Sequence, residues 1–170
     1  TAERGPDDTK LGEYLTELGT VLHLEGRTAE AGRVLERALA IHDAADEPRP
    51  TWTSALLDAL ARIAWDEGDL EAAEKIQRRA VDVLTAVEGD HRPAVAGLLG
   101  SHAAVLLALG RVAEGEQVVR RSIALTESVY GPDHPRSAIH WELLSAVLRD
   151  LGDDDGAEAA RERARRLREG

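Results

Sequence analysis

Residues 23–41 read HLEGRTAEAGRVLERALAI, and the chain carries a variant of this stretch three more times. The other copies are WDEGDLEAAEKIQRRAVDV at 65–83, LALGRVAEGEQVVRRSIAL at 107–125 and RDLGDDDGAEAARERARRL at 149–167. Each copy turns at a glycine, and successive glycines stand 42 residues apart: Gly26, Gly68, Gly110 and Gly152. An apolar-periodic segment precedes each glycine and another follows it. A fixed period of this length predicts a stack of two-helix repeats.

Turn residues mark the breaks between the copies. GPDDT stands at 5–9, GDHRP at 89–93 and GPDHP at 131–135, and the second copy begins at Glu47 within DEPRPT. We expect glycine to end one helix, Asp or Thr to cap the next, and proline to lie early in it. The breaks predict a single array over 1–170, with repeats at about 5–46, 47–88, 89–130 and 131–170. The helices expected in these repeats cover 9–25, 28–44, 51–67, 70–87, 93–109, 112–130, 135–151 and 154–168.

Small residues recur at fixed distances from the four glycines, where they predict close helix crossings. Seven residues before each glycine stand Gly19, Ala61, Ala103 and Ser145. Five residues after it stand Ala31, Ala73, Gly115 and Ala157. Twelve residues after it stand Ala38, Ala80, Ser122 and Ala164. In the first helix, leucines stand at spacings of four, three and four residues, which predicts one shared apolar face: Leu11, Leu15, Leu18 and Leu22.

Composition and motifs argue against several classes of function. The formal net charge is −11, whereas a DNA-binding surface needs basic residues. The chain has no cysteine, so thiol catalysis and cysteine zinc sites are excluded. The six histidines lack the spacing of a helical zinc site, and neither a phosphate-binding loop nor a nucleophile elbow occurs. We therefore expect no catalysis, no cofactor and no metal.

The apolar segments are too short to predict a membrane span, and the first residues lack a signal-peptide core. We expect a cytoplasmic protein that binds neither membrane nor nucleic acid. The chain contains no methionine, which favours a piece excised or processed from a longer protein.

The repeated pattern resembles a known family. A small residue, then G-[RD], then alanine five and twelve residues after the glycine is similar to the tetratricopeptide repeat. The 42-residue period and the GPDHP joint resemble the kinesin light chain type of that repeat. The resemblance covers about residues 5–169 and implies an all-α fold, a right-handed α-solenoid of four helix-turn-helix repeats. It also implies that the first helix of each repeat, here called the A helix, lines a concave face that binds a peptide or a partner domain.

The same resemblance implies which positions line that groove. They stand ten, six and three residues before each glycine: Thr16, Thr20, His23; Asp58, Arg62, Trp65; Gly100, Ala104, Leu107; and Glu142, Ala146, Arg149. Two ligand modes of the family do not carry over. The asparagine ladder is replaced by Glu17, Ala59, Ser101 and Leu143, and the basic clamp for a carboxylate is missing.

Three tryptophans and one histidine call for separate assignments. Trp65 is either a groove anchor or a packing residue on the neighbouring repeat, and Leu107 is a second candidate anchor. Trp141 occupies a packing position and Trp52 a joint. His102 stands where other copies have leucine, so we expect it in the core.

The last helix departs from the pattern. Arg165 stands where the other copies have Leu39, Val81 and Ile123, and Arg161 stands where the first and third copies have Leu35 and Val119. A polar outer face is what the end of a solenoid needs, so we interpret this helix as a solvated cap. The alternative is an arginine patch for an acidic partner, which the neighbouring glutamates would dilute.

Three functions follow from these patterns. The first is a non-catalytic protein–protein interaction scaffold that binds a peptide or a partner domain. The second is a ligand-sensing regulatory segment of a larger bacterial signalling enzyme, which is either another domain of the same parent chain or a separate protein on which the segment docks. The third is a homo-oligomerisation module.

Overall fold

The computed structural model describes residues 6–45, 47, 49–88 and 93–169, and side chains of these residues other than 6–9 and 87–88. Over these ranges the regular structure is helical, without a strand. The helices are α1 (Pro6–Leu24), α2 (Thr28–Asp43), α3 (Pro50–Asp66), α4 (Leu70–Glu88), α5 (Pro93–Ala108), α6 (Val112–Tyr130), α7 (Ala138–Asp150) and α8 (Asp154–Glu169). The predicted all-α repeat fold is confirmed. In the fourth repeat the predicted helix begins as a 3-10 turn, Pro135–Ser137, before α7.

The helices group into two compact units, 1–87 and 88–170. In the first unit α1 packs on α2 and α2 packs on α3. In the second, α5 packs on α6, α6 on α7 and α7 on α8. Each unit contains two of the predicted repeats, and a single right-handed array of all four stays a prediction.

The turn inside each repeat is built in the same way. Gly26 has a φ of +77°, and its N–H donates to the His23 carbonyl at 2.9 Å. The next N–H, from Arg27, donates to the Leu22 carbonyl at 2.9 Å. These two bonds form a Schellman motif, and its left-handed residue favours glycine because a Cβ is strained there. The same pair of bonds recurs at the other turn glycines, where φ is also positive: Gly68, Gly110 and Gly152.

The residue after each turn glycine caps the following helix in one of two ways. Asp69 and Asp153 accept a hydrogen bond from the backbone N–H three residues on, at 3.0 and 2.9 Å. In the other two repeats the same position is Arg27 or Arg111, whose guanidinium forms a two-bond pair with the glutamate three residues on. Both devices stabilise the first turn of the second helix.

The small positions lie at the helix crossings, as predicted. All twelve of them are buried. The two serines in this set find backbone acceptors, since Ser122 donates to the Ala96 carbonyl and Ser145 donates to the Ala157 carbonyl, both at 2.7 Å. In the first unit, small and large apolar residues together form one buried cluster: Leu15, Leu22, Ala31, Leu35, Ala38, Leu56, Ala59, Leu60 and Ile63.

The leucine face predicted on α1 is only partly buried. Leu15 and Leu22 are buried, whereas Leu11 and Leu18 are exposed. The spacing places all four on one side of the helix, but α2 covers only part of that side. None of the other described helices covers Leu11 or Leu18.

The assigned tryptophans and histidine lie as follows. Trp141 is half-buried against the core of the second unit, and its indole N–H donates to Glu127 at 3.3 Å. Trp52, at the start of α3, stays 37% exposed. His102 is buried, as expected for a core position.

The arginines of α8 form ion pairs mostly with glutamates of their own helix. Arg165 contacts Glu162 at 2.8 Å and Glu169 at 3.3 Å, and Arg161 lies 3.9 Å from Glu158. Arg161 and Arg165 are exposed, whereas Arg163 is half-buried and pairs with Asp133 at 2.9 Å. The pairing favours the interpretation of α8 as a solvated end over an arginine patch for an acidic partner.

Gly19 offers a direct test of the close crossing between α1 and α2. A Cβ built on Gly19 would lie 2.5 Å from Cδ2 of the fully buried Leu35. Gly19→Ala should therefore lower the free energy of unfolding by about 1–3 kcal/mol, because Leu35 has no space into which it can move. Urea denaturation followed by circular dichroism measures this loss.

Gly32→Ala is the matched control. Gly32 is also helical, but its built Cβ would meet only Ile63, at an ordinary 3.9 Å. This variant should be unchanged or more stable by about 0.5–1 kcal/mol, since alanine favours the helix. Equal effects at the two positions would contradict the proposed crossing.

Candidate interaction surface on the A helices

In the first unit the predicted groove residues form one line along each A helix. Thr16, Thr20 and His23 follow one another on α1 at spacings of four and three residues, and Asp58, Arg62 and Trp65 do the same on α3. The two helices are close near their C-terminal ends, where His23 Nε2 lies 3.5 Å from the Asp66 carboxylate. The structure therefore brings residues of both lines onto neighbouring parts of this unit.

The two threonines use their hydroxyl protons within α1. Thr16 donates to the Gly12 carbonyl at 2.8 Å, and Thr20 donates to the Thr16 carbonyl at 2.9 Å. Thr16 is also buried, whereas Thr20 is half-buried. Thr20 can still accept a hydrogen bond from a ligand, and Thr16 serves the helix itself.

The side-chain amide of Gln77 holds the Asp58 carboxylate in place. Gln77 of α4 is almost fully buried, and its Nε2 donates to Asp58 Oδ1 at 3.0 Å. The other carboxylate oxygen faces Arg62, one turn further on, at 3.6 Å. Gln77 therefore fixes the Asp58 carboxylate, and the exposed guanidinium of Arg62 lies beside it.

Trp65 ends this line with a large, partly exposed ring. Its side chain is 39% exposed, three residues after Arg62 and on the same side of α3. Its backbone carbonyl accepts the Gly68 N–H at 3.0 Å, within the Schellman turn. The turn therefore fixes the backbone that carries the ring.

The second unit presents a different set at the equivalent positions. Gly100 lies close to α7, since a built Cβ would be 3.0 Å from His140 Nε2. Leu107 is half-buried and packs toward Gly115 of α6, and Ala104 and Ala146 are half-buried small residues. Glu142 forms an ion pair with Arg168 of α8, and Arg149 is exposed. At the positions equivalent to Trp65 the second unit has Leu107 and Arg149, and no pair like Asp58–Arg62 forms along α5 or α7 among the described residues.

A buried histidine network in the second unit does not follow from the sequence pattern. Thr126 Oγ1 donates its only proton to the Ser122 carbonyl at 2.9 Å and lies 3.2 Å from His140 Nδ1. His140 Nδ1 is therefore the donor of that contact, which leaves Nε2 deprotonated against Gly100. Burial lowers the pKa of His140. The other three repeats have Tyr or Leu at the position of His140. This exception was the signal in the sequence that could have indicated a buried histidine.

His42 of α2 lies against Gly12 of α1, much as His140 lies against Gly100. A Cβ built on Gly12 would lie 3.1 Å from His42 Nε2. Both ring nitrogens of His42 are buried without a hydrogen-bond partner in the part of the chain described. Burial lowers the pKa of His42, and the neighbouring Asp43 carboxylate opposes that effect. Neither His42 nor His140 is accessible to a ligand.

Among the side chains that the structure describes, no three His, Asp or Glu groups come together in a way that could hold a metal ion. None of the described helices is long and apolar enough to cross a bilayer.

Comparison with known sequences identifies one family. The family model described as tetratricopeptide repeat matches residues 10–86 and 94–170. Each match spans two of the glycine turns. Members of this family generally bind other proteins and are typically non-catalytic. No curated protein matches the chain.

Solved structures share the fold at low sequence identity. A putative kinesin light chain of Podosopora anserina, with nearly identical TPR-like repeats, is 20% identical with a TM-score of 0.77, covering 92% of this chain and 74% of that one. BtubC of P. vanneervenii is 16% identical with a TM-score of 0.70, covering 95% and 81%. MamA is 16% identical with a TM-score of 0.69, covering 93% and 78%. The likeness to a kinesin light chain agrees with the type predicted from the sequence.

The two buried histidines predict a pH dependence of stability. The unfolded chain binds protons at His42 and His140 near their ordinary pKa of 6.5, and the folded chain binds them only at lower pH. The contribution of the two neutral histidines to the free energy of unfolding is therefore fully present above pH 6.5. It is lost as the pH decreases through and below 6.5. Thermal unfolding between about pH 7.5 and 5.5 should show a decreasing Tm.

His42→Leu should make that decrease smaller, since Leu84 fills the equivalent position of the second repeat. His134→Asn is the control, because His134 lies in a joint, where its ring stacks on Tyr130. An equal decrease in Tm for wild type, His42→Leu and His134→Asn would exclude His42 as its source.

Proposed function

Because the chain belongs to the tetratricopeptide repeat family, we propose that it is a non-catalytic module that binds a segment of another protein. The proposed surface is the α1/α3 face, which consists of Thr20, His23, Asp58, Arg62 and Trp65.

The observation that carries this proposal is the exposed Trp65 ring beside the Asp58–Arg62 pair. A tryptophan provides a large contact area while losing few rotatable bonds, which is why it dominates many interfaces. The Asp58 carboxylate beside Arg62 is held in place by Gln77. A ligand would therefore meet a carboxylate that is already oriented, which lowers the entropic cost of binding.

Charge indicates the kind of segment. The chain carries a formal net charge of −11, and Asp66, which pairs with His23, is half exposed beside the α1/α3 face. A segment with basic residues would be attracted over a long range and oriented by this field. We propose a peptide with an apolar side chain that packs on Trp65, flanked by a basic residue that reaches Asp66.

Trp65→Ala tests the proposal with peptides selected from a random display library against the full chain. Titration calorimetry should show an affinity lower by about tenfold or more for the variant, as expected on losing a hot-spot tryptophan. The fold should stay intact, since Trp65 is not part of the core.

Trp52→Ala is the matched control, because Trp52 lies on the same helix with similar exposure but on another side. It should leave the affinity unchanged. Unchanged binding by Trp65→Ala, or an equal loss with Trp52→Ala, would remove the α1/α3 face as the binding surface.

A further inference from the structure

His23 and Asp66 connect the two helices of the α1/α3 face. His23 Nε2 lies 3.5 Å from the Asp66 carboxylate. The His23 side chain is half-buried, whereas the Asp66 side chain is half exposed. The other ring nitrogen, His23 Nδ1, is buried without a hydrogen-bond partner among the described residues. The ring therefore presents Nε2, its outward polar atom, to the carboxylate.

Asp66 is a carboxylate in an unfavourable place on α3. It is the last residue of the helix, where the free carbonyl groups form the negative end of the helix dipole. The last turn of α3 contains no basic residue, and Glu67 follows directly. A cation beside Asp66 would stabilise this end. Protonated His23 is one such cation, and a lysine or arginine of a bound segment is another.

The other A helices do not repeat this arrangement. The last residue of α7 is also an aspartate, Asp150, but Arg149 precedes it in the same turn. The last residue of α1 is Leu24, with His23 in its last turn, and the last residue of α5 is Ala108. A terminal carboxylate without a basic residue in its own turn is thus a feature of α3.

The other charged groups near the His23 ring have partners of their own. Three of them, in the turn after α1 and the first turn of α2, bond to one another at 2.8 to 3.3 Å: Glu25, Arg27 and Glu30. On α3, Arg62 faces Asp58. Among the described residues, Asp66 is the charged group in ion-pair contact with the ring. A charge on His23 therefore acts mainly on Asp66.

We propose that the proton on His23 controls how tightly the α1/α3 face holds a basic side chain of its ligand. This inference rests on the function proposed above, in which such a side chain reaches Asp66. Histidine is the side chain that changes charge between about pH 5 and 8. While His23 is neutral, Asp66 attracts the lysine or arginine of the ligand. When His23 takes up a proton, it neutralises Asp66 and repels the ligand's cation.

The direction and the size of the effect follow from these two states. The affinity for a basic ligand is highest where His23 is neutral, and it decreases as the pH falls and the ring becomes charged. Asp66 is half exposed, and exposed ion pairs are weak, so we expect a loss of about threefold between about pH 8 and 6. A ligand without positive charge is not repelled and should not show this loss.

The test uses the full chain and the tightest peptide that a random display library yields at about pH 8. Fluorescence anisotropy measures its affinity at about pH 8 and 6, where the wild type should bind about threefold more weakly at the lower pH. A synthetic copy of the peptide, with citrulline for each arginine and glutamine for each lysine, should show no such loss. Circular dichroism at both pH values checks folding, and partial unfolding would weaken both peptides equally.

His23→Gln removes the group that gains the proton. The ratio of its affinities at the two pH values should therefore be close to that of the uncharged peptide, whatever its absolute affinity. His134→Asn is the matched control, because His134 lies in the joint before α7 and outside the α1/α3 face. This variant should keep the threefold ratio of the wild type.

Three results would overturn the role of His23. They are a selected peptide without lysine or arginine, an equal ratio for wild type and His23→Gln, and an equal loss for the uncharged copy of the peptide. Trp65→Ala distinguishes this failure from that of the proposed function. If Trp65→Ala weakens the peptide while the ratios stay equal, the α1/α3 face binds the peptide and His23 does not regulate it. If Trp65→Ala binds as the wild type does, the face and its regulation are both excluded.

Discussion

A left-handed residue at the end of each A helix is the constraint on which the rest of this structure depends. At Gly26 and its three equivalents the backbone turns with positive φ, and two hydrogen bonds close the turn over the preceding helix. The second helix then starts at a fixed distance from the first. Because this geometry recurs every 42 residues, the small residues at the crossings fall in register without further adjustment.

Much of the fold could be predicted from the sequence because its determinants are local. Glycine, proline and apolar periodicity fixed the helices to within a few residues, and the buried small positions followed from their spacing. Which side of a helix is covered by a neighbouring helix could not be predicted in the same way. Leu15 and Leu18 have the same character and lie on one side of α1, yet only Leu15 meets a helix.

The positions of the candidate surface could be predicted from the sequence, but the hydrogen-bond partners and the burial of its side chains could not. The repeat phase gives Asp58, Arg62 and Trp65 one side of α3, whereas the amide of Gln77 that orients Asp58 comes from the following helix. Thr16 was expected at the surface, but its hydroxyl bonds to its own helix and its side chain is buried. The repeats share one backbone, and their functional differences lie in side chains whose partners are distant in sequence.

The most direct test of the glycine constraint compares Gly110→Ala with Gly97→Ala by urea denaturation. A Cβ at either position meets no atom within 4 Å, but only Gly110 has a positive φ, +73°. Gly110→Ala should lower the free energy of unfolding by about 1 kcal/mol or more through backbone strain alone. Gly97→Ala, within α5, should be neutral or stabilising by about 0.5–1 kcal/mol. Equal free energies for the two variants would contradict the claim that left-handed turns set the repeat.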